Sequence, residues 1–243
     1  ITQILLFFFA YKYRYNKNRR SFYFHDNNKL EAIWTIIPTI VLAALITTGM
    51  SEWNEITKKS ASMKGIVVQI YAKQFDFTAR YAGKDNKLGS SFFRSITDTN
   101  PLGIDSSDAA TADDLIAKEL VLPKGVEVQL MINSRDVIHS VYLPHFRVQM
   151  NAVPGMTTRF AFKPTKTTAE MQKETGNPKF EFIMLCNKIC GVAHYNMKMP
   201  VRVVEPAEYE EWLKTQSAVF PKEEATAAAT PAPADSAATS MSK

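Results

Sequence analysis

Two thiols, an imidazole and a thioether crowd one short segment. Cys186, Cys190, His194 and Met197 fall within the twelve residues CNKICGVAHYNM. A second histidine, His139, lies 47 residues before Cys186, after the run VEVQLMINS. Soft sulfur donors favour cuprous copper, and imidazole is acceptable to both copper oxidation states. Zinc rarely recruits methionine. Taken alone, C-x3-C in an exported domain could be a disulfide, a single methionine is ordinarily core, and His145 reads as a surface or packing residue. The joint pattern C-x3-C-x3-H-x2-M plus a distant histidine is more specific than its parts. It favours a metal centre whose ligands sit at strand ends.

The rest of the chain bounds what can carry such a centre. There are 243 residues and only two cysteines, which excludes a disulfide-dense scaffold and a four-thiolate zinc or iron–sulfur site. A charged fraction of 22% excludes a wholly disordered chain, and a mean hydropathy of −0.16 excludes a polytopic membrane protein. The net charge is +5. Residues 1–31 carry six basic and two acidic groups, a net +4, which leaves only +1 on the remainder. The basic character is therefore local, and it argues against a nucleic-acid partner.

Its location reads as membrane topology. The 20 residues between Glu31 and Glu52 carry no charge. As a helix they would span roughly 30 Å, the thickness of a bilayer hydrocarbon core. Trp34 and Trp53 flank the run as interfacial aromatics do, and Pro38 is tolerated in membrane helices. Residues 1–10, ITQILLFFFA, are apolar but short, and read as the end of a first transmembrane helix. The basic 12–30 loop is then cytoplasmic by the positive-inside rule. The expectation is a two-helix hairpin over 1–53 in the cell inner membrane, contacting lipid, with the following domain in the periplasm.

That outer domain, 65–205, reads as all-β. Val68, Ile70 and Ala72 share one face; Phe75, Phe77, Ala79 and Tyr81 share a face of opposite parity. The switch near Lys73–Gln74 predicts a β-bulge or bend. Further period-two runs lie at Val126–Ile132, Phe160–Phe162, Phe180–Met184 and Val201–Val203, which argues a sandwich or barrel. Residues 82–119 read as a surface insertion with one short helix over 107–119. Pro206 opens a terminal helix over 206–216. The Ala/Pro-rich stretch 221–243 reads as a flexible tail.

With these residues in view, the chain resembles subunit II of cytochrome c oxidase of bacterial type. The resemblance rests on the Cys186–Met197 segment, on DVIHSVYLPHFRVQMNAVPG around His139, and on LEAIWTIIP at 30–38, and it covers most of 1–213. It implies a transmembrane helical hairpin followed by a cupredoxin-like β-sandwich or barrel. It also implies a copper A centre of two copper ions. Cys186 and Cys190 would bridge both coppers, His139 and Met197 would complete one, and His194 with the Lys188 carbonyl the other. The subunit would take electrons from cytochrome c, or a cytochrome c domain, and pass them to haem in subunit I. It would work beside subunits I and III, carry no haem itself, and leave oxygen reduction to subunit I. Glu31 would stand at the mouth of a proton-uptake path.

Three positions depart from the family pattern. Lys188 replaces the usual glutamate, whose side chain commonly ligates an interfacial magnesium; a lysine cannot, so that ion is not carried over. Phe75 stands where a tryptophan usually receives electrons, and Asn151 replaces an acidic residue. The changes at Phe75 and Asn151 point to a donor that is tethered or held within a respiratory supercomplex. A quinol-oxidase subunit would lack the copper ligands, and a nitrous oxide reductase would need many more than four histidines. A membrane-tethered copper chaperone is the alternative of a different class, but Gly191 follows the second cysteine where such proteins usually carry proline.

Overall fold

A computed structural model describes residues 1–20, 23, 25–57 and 65–219. The tail expected over 221–243 lies outside the described residues. The chain divides into two units, Ile1–Met50 and Ser51–Lys243.

In the first unit, α1 (Thr2–Lys12) and α2 (Asn28–Ile56) are both apolar. Only α2, at 29 residues, is long and apolar enough among the described helices to cross a membrane. It begins where the Asn27 carboxamide oxygen accepts the Leu30 N–H at 3.0 Å, an N-cap. Thr39, Thr47 and Thr48 return their hydroxyls to carbonyls of the preceding turn, so their polar groups are satisfied within the helix. No side chain of α2 is buried. A soluble core helix of this composition would bury its apolar face, and this one does not.

The second unit is a β-sandwich of two five-stranded sheets. The first contains β1 (Ile66–Lys73), β2 (Asp76–Tyr81), β3 (Leu115–Ala117), β5 (Val128–Ser134) and β8 (Thr158–Phe162), in the order β3-β2-β1-β5-β8. The second contains β4 (Leu120–Pro123), β6 (His139–Leu143), β7 (Val148–Ala152), β9 (Phe182–Leu185) and β10 (Lys198–Val204), in the order β4-β10-β9-β6-β7. Strands β1 and β5 pair parallel, as do β4 and β10. Val68, Ile70, Leu130 and Ile132 from one sheet and Val141, Leu143, Met184 and Val203 from the other form the core. Each such side chain contributes about 1.5–3 kcal/mol on burial.

Two expectations are corrected. The parity switch at Lys73–Gln74 is a full chain reversal, not a bulge or bend within one strand. Lys73 pairs with Asp76, and Ala72 pairs with Phe77 on the core face. A two-residue hairpin pairs even positions with odd ones, so the inward face must change parity across it. The peptide between Gln74 and Phe75 is cis.

The helix expected over 107–119 does not form. Asp108 caps a single 3-10 turn, Ala109–Thr111. Asp114 is then drawn to Arg80 of β2, both side chains fully buried, with Arg80 Nε 3.0 Å from Asp114 Oδ2. Leu115–Ala117 leaves as β3 and pairs with β2. Pairing to the sheet overrides the helical propensity of the alanines. The last part of the 82–119 segment is therefore sheet rather than surface insertion. Among the described residues the chain also contains α3 (Thr168–Thr175) and α4 (Pro206–Thr215), the latter with Pro206 in its first turn.

Candidate metal centre

The site grows from one end of the second sheet. Strands β9 and β10 are antiparallel neighbours, and Leu185 pairs with Lys198. Cys186 and Met197 are the next residues outward, and the Cys186 N–H donates to the Met197 carbonyl at 3.1 Å. The segment between them is thus a long hairpin loop closed at its base by the two outer sulfur residues. Strand β6 lies beside β9, with Tyr142 opposite Leu185. That register sets His139, the first residue of β6, beside the loop.

The donor atoms converge. The Sγ atoms of Cys186 and Cys190 are 4.0 Å apart, and the cysteines are not joined as a disulfide. His139 Nδ1 lies 3.9 Å from Cys186 Sγ, and His194 Nδ1 lies 3.6 Å from Cys190 Sγ. Met197 Sδ is 3.7 Å from Cys190 Sγ. The Lys188 carbonyl oxygen is 3.2 Å from Cys186 Sγ, while its side chain points to solvent. Ligand atoms of His139, Cys186 and Cys190 lie within 4.8 Å of one another, and all three residues are buried. Burial, and then the neighbouring Cys186 sulfur, push the Cys190 thiol up to about 11. Burial and the neighbouring sulfur thus both disfavour a Cys190 thiolate. A cation between the two sulfurs would stabilise it.

The site's supports come from both sheets. Asp136 Oδ1 lies 2.7 Å from His139 Nε2, which leaves Nδ1 turned toward the sulfurs. A carboxylate on the far nitrogen of a metal-binding histidine fixes its tautomer and raises its basicity. Burial alone would raise the Asp136 carboxyl. Hydrogen bonds from the Gln74 N–H, from His139 and from the Val137 N–H outweigh it and hold the carboxyl below its usual range. Gln74 belongs to the β1–β2 turn of the other sheet, and its N–H reaches Asp136 Oδ2 at 2.8 Å. Its side-chain amide also donates to the Cys190 carbonyl. Phe75, half-buried, covers Gly191: a Cβ there would stand 2.8 Å from the Phe75 ring. Gly191 has φ 143°, which disfavours any other residue.

All six residues expected as ligands therefore meet in one place, and Phe75 lies against their loop. Glu31 is elsewhere in the chain, exposed in the first turn of α2. Asp136 and Gln74 were not foreseen. Asp136 was legible in principle, three residues before His139 in DVIH, a spacing at which a turn brings carboxylate to imidazole. Gln74 carried no local signal, because its role depends on the two sheets closing.

A family model described as cytochrome c oxidase subunit II, periplasmic domain, matches residues 66–205. A second, its transmembrane domain, matches residues 1–50. The chain is 32% identical over 219 residues to an alternative cytochrome c oxidase subunit 2 of Bradyrhizobium diazoefficiens, covering 88% of this chain and 74% of that one. It is 29% identical over 239 residues to cytochrome c oxidase subunit 2 of Thermostichus vulcanus, covering 89% and 69%. A solved periplasmic domain of subunit II of the cytochrome oxidase of Bradyrhizobium japonicum matches with a TM-score of 0.43 at 25% identity, covering 63% of this chain and 94% of that one. The chain belongs to the cytochrome c oxidase subunit II family, as a membrane-anchored subunit of a haem–copper oxidase with a periplasmic β-sandwich domain.

Proposed function

We propose that the cluster holds a copper A centre of two copper ions. Cys186, Cys190, His139, Met197, His194 and the Lys188 carbonyl would hold it. The observation that carries this reading is the convergence of two thiols, a thioether and two imidazoles in one buried cluster. That donor set suits copper better than zinc, calcium or magnesium. When bound, the pair of coppers supplies a one-electron carrier whose charge is spread over both metals. The protein's part is to hold the donors still. The β9–β10 base pair fixes Cys186 against Met197, Asp136 fixes His139, and Gln74 pins the Cys190 carbonyl. Ligands that do not move on oxidation or reduction keep the reorganisation small.

In this reading the subunit accepts electrons from a cytochrome c, or a cytochrome c domain held in a supercomplex, and passes them to haem in subunit I. Subunit III completes the assembly. Phe75 is the side chain over which electrons arrive, supported by its contact with the loop at Gly191. Lys188 presents a cation where a magnesium ligand would be needed, so no interfacial magnesium is assigned to this chain. The subunit spans the cell inner membrane with two helices, and Glu31 serves proton uptake on the inner side. Copper loading of the full chain tests the centre. Electron paramagnetic resonance should show one unpaired electron shared by two coppers, whereas a mononuclear signal, or none, overturns it. Glu31→Ala should slow oxygen consumption by the assembled oxidase without bleaching the copper absorption; unchanged turnover removes Glu31 from the mechanism.

A further inference from the structure

A second cleft lies at the end of β6 away from the metal cluster. There the chain leaves Leu143, makes one 3-10 turn over Pro144–Phe146, and returns as β7. The cleft beside this turn has a volume of about 300 Å³. Its floor is aromatic: the Phe146 ring lies 4.8 Å from Phe182 and 5.4 Å from Phe162. His145 stands edge-on to Phe182 at 5.5 Å and also lines the cleft.

The rim is cationic. Arg147, Lys163 and Lys166 line the cleft, and no carboxylate does. Lys166 pairs with the exposed Glu174, whereas Arg147 and Lys163 have no ion pair among the described residues. Arg147 also stands in the left-handed region, at φ 54° and ψ 33°. Among the described residues only Asn86 shares this with it outside glycine, and asparagine is tolerated there. Glycine would hold the turn with less strain. Strain accepted by a long cationic residue at the mouth of a cleft is the kind that marks a functional position.

We propose that this cleft binds a phosphate ester whose organic part is flat or apolar. A guanidinium matches phosphate oxygens two at a time, and the lysines add point charge. The phenylalanine rings would cover the organic part, in a space at the small end of ligand sites. A free nucleotide and a phospholipid headgroup share this chemistry. The proposal does not depend on the copper reading.

Calorimetric titration of the full chain in uncharged detergent tests it with three probes: ADP, a short-chain phosphatidylglycerol and inorganic phosphate. ADP or the lipid should bind at least about tenfold more tightly than phosphate. Arg147→Gln and Lys163→Gln should each weaken that binding about tenfold or more, while Lys84→Gln, which lines a different cleft beside Asp113 and Lys214, should leave it unchanged. Arg147→Gly should lose the ligand and yet raise the melting temperature, which a purely structural arginine would not do. Binding of ADP alone identifies a soluble ligand, and binding of the lipid alone identifies a headgroup. No binding of either at about 10 mM, equal binding of inorganic phosphate, or full binding by both glutamine variants overturns the proposal.

Discussion

The two irregular segments of the outer domain meet the same β1–β2 hairpin and are held to it in opposite ways. The 82–119 segment packs on β2 through a fully buried ion pair. Arg80 Nη2 also donates to the Gly89 carbonyl at 2.8 Å, and the Gly89 N–H reaches Asp114 Oδ2 at 3.0 Å. Asp114 is the segment's half of that pair and Arg80 the strand's. The Cys186–Met197 loop meets the hairpin's tip through neutral contacts, an amide to a carbonyl and a ring against a glycine. At its centre are two cysteine sulfurs, each within 4 Å of an imidazole nitrogen. One segment is held to the hairpin by charge, the other by neutral contacts around a cluster of metal-ligand residue types.

The strongest way to break the comparison is Arg80→Leu. Removing one member of a buried pair leaves an uncompensated carboxylate and costs about 3–5 kcal/mol, against a total stability of about 5–15 kcal/mol for a domain. Urea unfolding of the full chain, followed by near-ultraviolet circular dichroism, should show the midpoint fall accordingly. The copper bound per folded molecule should not change. Loss of copper from the folded fraction would mean that the two segments are coupled, and the contrast would fail.

Gly191→Ala acts on the other side. The new Cβ would meet the Phe75 ring and the Gln74 amide at 2.8 Å, so either the loop or the hairpin tip must move. Overpacking of this kind costs about 1–3 kcal/mol, less than the Arg80 change. Its copper effect should nevertheless be the larger one, read as faster release of copper to a chelator. A variant that kept its copper at the parental rate would show that the Phe75–Gly191 contact does not shape the site.

The sequence carried these two segments unequally, and for a physical reason. The donor residues were legible because their types and spacing, at strand ends, suit a metal and because the family resemblance supplied the full ligand set; why they meet is structural, since a hairpin loop must return its two ends to neighbouring positions. Cys186 and Met197 meet for that reason, although eleven positions separate them. The hairpin at Gln74–Phe75 left its parity signature, but a parity change alone does not distinguish reversal from bulge. The buried pair left none. Arg80 sits in FTARY at a position of outward parity, and its partner lies 34 residues on, beyond an alanine-rich stretch that favours helix locally. The short helix α3 was missed despite clear signals. Thr167 and Glu170 form a capping box, and Gly176 ends the helix in the left-handed conformation. Eight residues with one inward side chain, Met171, gave periodicity too little length to register.

The smallest effect sharpens the comparison from within the 82–119 segment. Asp108 receives the Ser90 N–H at 2.7 Å and the Ala110 N–H at 3.1 Å. The Ser90 hydroxyl, and then these two backbone N–H groups, hold its carboxyl below the usual range. It ties distant parts of the segment to each other, but from a half-buried position where competing bonds to solvent are nearly as good. Asp108→Ala should therefore lower the urea midpoint by only a small fraction of the Arg80→Leu change. Because the folded carboxyl titrates below its unfolded value, its contribution is present at neutral pH and is lost as pH falls through the folded value. The difference between parent and variant should accordingly vanish in acid. If Asp108→Ala destabilised as much as Arg80→Leu, the segment would be held by its surface bonds rather than by the buried ion pair to β2.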